Sequence, residues 1–122
     1  MRCSKEEALM LISKWREEDR WLSLWTMSGD LTGGGAQEEH SFWAKPSDLL
    51  APPADNQEWI AFAGEHATIE FPLEPDATFE YLEPRDAPEP IRARFRGFDF
   101  ALLIRSTRVF AVIFGPRIEG LT

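Results

Sequence analysis

A chain of 122 residues with 43 % hydrophobic content and fifteen aromatic residues carries too much apolar material for disorder and is one domain's length. Size scaling gives about 6,700 Å² of folded surface against about 20,300 Å² unfolded, enough burial for one core without staples. The formal net charge of −8 and the pI near 4.7 weigh against nucleic acid, whose backbone is bound by neutralising phosphates.

The lone Cys3 cannot form an internal disulfide, and the longest purely apolar run, Val109–Phe114, is six residues, far short of a membrane span. The N-terminus MRCSKEEAL turns charged before an apolar leader core can form, so a soluble cytoplasmic protein with no membrane association is the expectation. Charge is unevenly spread. Residues 1–20 balance, residues 30–89 carry −12, and residues 90–122 carry +4, which implies internal pairing between the acidic middle and the basic end.

Ser4-Lys-Glu-Glu7 matches the S-x-x-E capping box. Ala8, Leu11, Ile12 and Trp15 then fall at i, i+3, i+4 and i+7, one apolar stripe of a helix over about 5–19. From Trp21 the period becomes two: Trp21, Ser23, Trp25 and Met27 alternate with Leu22, Leu24 and Thr26. Ser28 to Gly35 breaks this strand, and a second is expected at about 40–44. After an irregular connection over 45–55, strands are predicted at about 57–63, 67–73, 77–82, 91–96, 98–105 and 107–114, separated by turn clusters. The whole reads as one mainly β (α+β) domain over 1–122: an N-terminal helix, then an antiparallel meander over about 21–114 forming a small barrel or strongly bent sheet.

Both strands of the last hairpin are apolar on both faces. One sheet face of a small antiparallel domain usually meets water, so this hairpin needs a second cover. The helix stripe can shield one face. A second subunit against Phe110, Val112 and Phe114 would shield the other, predicting a homodimer.

Arg92-Ala-Arg-Phe-Arg96 reads as a strand with three guanidiniums on one face at about 7 Å intervals. Arg92, Arg94 and Arg96 would there form an anion site or a charge ladder with acidic neighbours such as Glu70 and Glu80, and the ladder is the favoured reading. Trp21, Trp25, Trp43 and Trp59 can line an aromatic pocket for a small ligand, with core or interface packing as the alternative. His40 and His66 each follow a glutamate, but no metal-ligand spacing joins them, so neither a metal site nor a catalytic pair is expected. Thr32-Gly-Gly-Gly35 lacks the Lys-Ser/Thr and the helix of a phosphate loop and reads as a hairpin loop. Arg2 and Lys5 beside Cys3 could lower its pKa, but no histidine lies in sequence reach and Cys3 reads as incidental; Ser23, Ser41 and Ser47 lie outside any G-x-S-x-G nucleophile motif.

The order of a capped helix and a bent antiparallel meander resembles that of Sm-like and SH3-like small barrels, which implies that architecture. Arg96-Gly97 is the one echo of the Arg-Gly turn with which Sm proteins bind uridine-rich RNA. Phe79-Glu-Tyr and Pro84-Arg-Asp-Ala-Pro-Glu89 resemble a segment of small bacterial proteins of this size, a likeness that brings no activity with it. The expected function is a non-enzymatic module, self-associating or protein-binding through an apolar sheet face, without a cofactor. A small-ligand binder is the alternative, and an enzyme using His40 and His66 the remote one.

Overall fold

The computed structural model describes residues 1–29, 37–46, 58–65, 68–107 and 109–118. Strand β1 (Arg2–Cys3) leads into helix α1 (Lys5–Glu17), then strands β2 (Leu22–Gly29), β3 (Gln37–Pro46), β4 (Glu58–Ala63), β5 (Thr68–Leu73) and β6 (Thr78–Leu82). A single 3-10 turn (Pro84–Asp86) and a short helix α2 (Glu89–Arg92) precede the hairpin of β7 (Phe100–Arg105) and β8 (Val109–Gly115). The strands form one antiparallel sheet in the order β1-β6-β7-β8-β2-β3-β4-β5. It does not close into a barrel: β1 and β5 are its two ends. Among the described residues the β3–β4 pairing joins Lys45 to Ala63 and Pro46 to Phe62.

The capping box forms as the sequence indicates. Ser4 Oγ accepts from the Glu7 amide at 3.1 Å, and Glu7 Oε1 accepts from the Ser4 amide at 3.0 Å. The helix ends two residues earlier than the stripe suggests, because Asp19 turns left-handed at φ 55° and Arg20 donates back to the Trp15 carbonyl.

Register sorts the β7–β8 side chains onto two faces. Phe100, Leu102 and Ile104 share the first face with Ala111 and Ile113; Ala101 and Leu103 share the second with Val112 and Phe114. The first face packs against the α1 stripe, and Ile60 and Phe62 of β4 complete that core. Trp15 lies fully buried against the sheet, its Nε1 donating to the Pro116 carbonyl at 2.9 Å. A Cβ on Gly115 would stand 2.7 Å from Leu22 Cδ2 and 2.8 Å from the Trp15 ring, so the helix sits on bare backbone there.

The second face is covered by the chain's own segment 84–98, where the sequence suggested a strand and a second subunit. Ala87, Ile91 and Phe95 are buried on Leu82, Ala101, Leu103, Val112 and Phe114. Their spacing is i, i+4 and i+8, a helical period that coexists with the period-two pattern of RARFR. Two prolines decide between them. Pro88 caps α2 and Pro90 stands in its first turn, where a proline's fixed φ favours helix and its missing amide costs nothing. Val112 and Phe114, expected at a subunit interface, are fully buried within the chain, and Phe110 is half-buried against Trp25. The reason for placing a dimer on this hairpin face is therefore gone.

Arg117 ties down both ends of the cover. Its amide donates to Asp99 Oδ1 at 3.0 Å, and its guanidinium is paired with Glu83. Acidic middle and basic end do meet here. Arg117 holds the Glu83 carboxyl below its ordinary pKa of 4.5, first through that hydrogen bond.

Candidate functional site

The cover leaves a gap. Between the second face of the β2–β3 hairpin and the turn that follows α2 lies a pocket of about 260 Å³. Ser23 and Trp25 of β2 and Ser41 and Trp43 of β3 line it from the sheet, and Arg94 and Arg96 line it from the turn. The hairpin register sets Ser23 opposite Trp43 and Trp25 opposite Ser41, so the four side chains share one sheet face with the indoles on a diagonal.

Phe95 fixes the turn by packing edge-on against Phe114, with ring centroids 5.0 Å apart. The residues on either side of it therefore lie on the pocket side. The Arg94 guanidinium carbon stands 4.0 Å from the centroid of the Trp25 ring, a cation–π contact that holds this arginine against the wall of the pocket. Arg96 adopts φ 44° and Gly97 φ 96°, which turns the chain back towards β7. The left-handed region costs a residue with a Cβ about 1–2 kcal/mol, so this arginine sits in a strained position. Trp25 is 6 % exposed and Trp43 62 % exposed, its ring beside Phe98 at 5.9 Å. One indole is thus a wall and the other an open platform.

The sequence-selected residues divide. Trp25, Trp43, Arg94 and Arg96 meet in the pocket, joining half of the aromatic set with two thirds of the arginine set. Trp21 is 42 % exposed and carries Lys45 Nζ 5.1 Å from its ring centroid, while Trp59 is half-buried on β4 opposite Pro72; neither lines the pocket. Arg92 turns away, donating to the carbonyls of Pro84 and Arg85 and pairing with Glu89 at 3.2 Å. The charge ladder does not form, because residues 91–96 are helix and turn rather than strand. Glu80 instead lies 3.9 Å from the N-terminal ammonium.

Ser23 and Ser41 enter the site as polar lining, a role hidden by asking of them only whether they were nucleophiles. The signal lay in their parity: each alternates with a tryptophan on its own strand.

His40 is exposed and stacks on Phe42 at 5.8 Å on the opposite sheet face from the pocket; His66 lies outside the described residues, as do Thr32–Gly35, Ser47 and Arg108. Among the described residues no three His, Cys, Asp or Glu side chains gather to hold a metal ion. None of the described helices is long and apolar enough to cross a membrane. Burial and then the Glu7 charge push the Cys3 pKa up from 9.0 to about 11, the opposite of an activated thiol. Comparison with known protein families, curated proteins and solved structures found no match to this chain. Function must therefore be argued from the pocket.

Proposed function

We propose that the chain is a non-enzymatic module that binds a small ligand in the pocket between the β2–β3 face and the 93–97 turn. One observation supports this above the others: two tryptophans, two arginines and two serines far apart in sequence line one recess on an otherwise apolar sheet face. A recess that combines aromatic walls with a few convergent polar groups is the usual form of a ligand site. Its volume lies just under the usual range of roughly 300–1,000 Å³, which suits a ligand of one or two fused rings.

Intrinsic fluorescence tests the reading, because Trp25 and Trp43 sit in the lining. A panel of small planar compounds should include some that quench or shift the emission saturably. Trp43→Ala should fold normally, its side chain being mostly exposed, and lose that response. A panel with no saturable change, or a response that survives Trp43→Ala, would remove the proposal.

Self-association or a protein partner is the second reading, favoured by the exposed Trp43 next to Phe98 at the edge of the same face. Light scattering at high micromolar concentration separates the two: about twice 14 kDa, reduced by Trp43→Ala, favours a second copy on this patch.

A further inference from the structure

We propose that the pocket selects small planar anions: an aromatic ring bearing one oxyanion group, carboxylate or phosphate. This rests on the ligand-binding reading above and names the class of ligand. The first ground is charge contrast. The chain carries −8, yet the residues lining the pocket include two arginines and no Asp or Glu. A neutral or cationic ligand has no use for such a lining, whereas an oxyanion gains charge-assisted hydrogen bonds from it.

The second ground is the state of the polar groups. Among the described residues Arg96 has no hydrogen-bond or ion-pair partner, and the hydroxyls of Ser23 and Ser41 have none either. Arg92, four residues before Arg96, is by contrast paired with Glu89 and with two backbone carbonyls. Arg96 also holds its place at φ 44°, immediately before a glycine that takes the same hand without penalty. An arginine in that position presents its cation at the pocket, and an anion seated there would pair it.

The third ground is shape. Arg94 lies over the Trp25 ring at 4.0 Å, and the exposed Trp43 indole stands on the neighbouring strand. Flat surfaces favour a flat guest, which stacks on Trp43 while its oxyanion reaches the Arg96 guanidinium and the serine hydroxyls. Two arginines in a recess of this volume match one oxyanion on a ring system better than an extended polyanion.

Matched probes on the full chain test this at neutral pH and low salt, read by tryptophan fluorescence and calorimetry. Naphthalene-1-acetate and 1-naphthyl phosphate should each saturate, and at least one should bind about tenfold or more tighter than the neutral naphthalene-1-acetamide. Which of the two anions leads identifies the oxyanion. Cyclohexane-acetate, an anion without a planar ring, and inorganic phosphate should bind at least about tenfold more weakly than the leading aromatic anion. Arg96→Gln should abolish the preference for the anion, lowering its affinity about tenfold or more and that of the acetamide far less. Arg96→Gly, which removes the charge and relieves the left-handed strain, should do the same in a chain at least as easily folded. Equal affinity for acetate and acetamide, or a preference that survives both variants, overturns the anion inference but leaves the pocket a ligand site. Failure of every probe to bind defeats both proposals together.

Discussion

The two faces of the β7–β8 hairpin are equally apolar in sequence and are covered by different means. On the first face a capped helix of thirteen residues lays a continuous stripe on the sheet, and the β4–β5 hairpin completes the core. On the second, a proline-rich segment with one 3-10 turn and one short helix rests on three anchors, Ala87, Ile91 and Phe95. A regular helix presents a side chain at each turn and fills the surface beneath it. An irregular cover touches down at intervals, and where it leaves the sheet, between Phe95 and Phe98, it leaves the pocket. The better-packed face supplies stability, and the less regular one holds the recess proposed as a site. Strain at Arg96 and the open Trp43 both belong to the second face.

The contrast predicts unequal costs of truncation. Trp15→Ala, in the first core, should lose about 3–5 kcal/mol in urea unfolding, since it removes a fully buried indole and its hydrogen bond to Pro116. Phe95→Ala should lose about 3 kcal/mol, the low end for a buried phenylalanine, because the cover can settle into the space. It should also speed amide exchange over 84–98 before the sheet amides respond, as local opening would. Equal losses accompanied by global exchange would show that the two faces form one unit. Gly115→Ala comes next, at about 1–3 kcal/mol, since the added methyl meets Trp15 and Leu22 at distances real Cβ atoms do not reach.

Opposite pH extremes should attack the two covers, with smaller effects. Burial raises Cys3 from 9.0 to about 11 and Tyr81 from 10.0 to about 12, both at the edge of the first face. The folded chain holds these protons longer than the unfolded one. Stability from these groups is thus intact below about pH 9 and falls as pH rises, first through the Cys3 window of 9 to 11 and then through the Tyr81 window of 10 to 12. Glu83 works the other way. Its carboxyl is held below 4.5 by Arg117, so its contribution is present above 4.5 and disappears as pH falls through the lower folded value. Urea midpoints should therefore drop between pH 9 and 11, while acid should first loosen 84–98, seen as faster exchange in that segment alone. A midpoint unchanged from pH 8 to pH 11 would contradict the burial of Cys3 and Tyr81.

Much of the fold was legible because its signals were local. The capping box and the stripe of α1 need only adjacent residues, and β6, β7 and β8 follow from alternation bounded by turns. RARFR was not, because Ile91 and Phe95 satisfy both a period of two and a period of four. Pro88 and Pro90 decided the matter, and prolines read as turn punctuation are also helix starters. The same reading placed an interface on Val112 and Phe114: a strand at 91–96 leaves nothing to cover them, while a helix and turn there cover both. Barrel closure was beyond pattern reading, since it depends on whether the end strands β1 and β5 pair, a long-range contact with no local signal. The pocket was half legible. The pairings Ser23–Trp43 and Trp25–Ser41 are symmetric about position 33, where the glycine run begins, so the hairpin register could have been set from the sequence. That Arg94 and Arg96 arrive over the same residues is a tertiary fact with no local signature.

The most direct test of the central claim, that the gap in the irregular cover is the binding site, is a nuclear magnetic resonance titration of the ¹⁵N-labelled chain with naphthalene-1-acetate. The five indole N–H resonances report from five places, two of them in the pocket lining. Saturable shifts of Trp25 and Trp43 and of the Arg94 and Arg96 amides, with Trp15, Trp21 and Trp59 unmoved, are the predicted result. Shifts centred on Trp15 or Trp59, or none at saturating ligand, would contradict it.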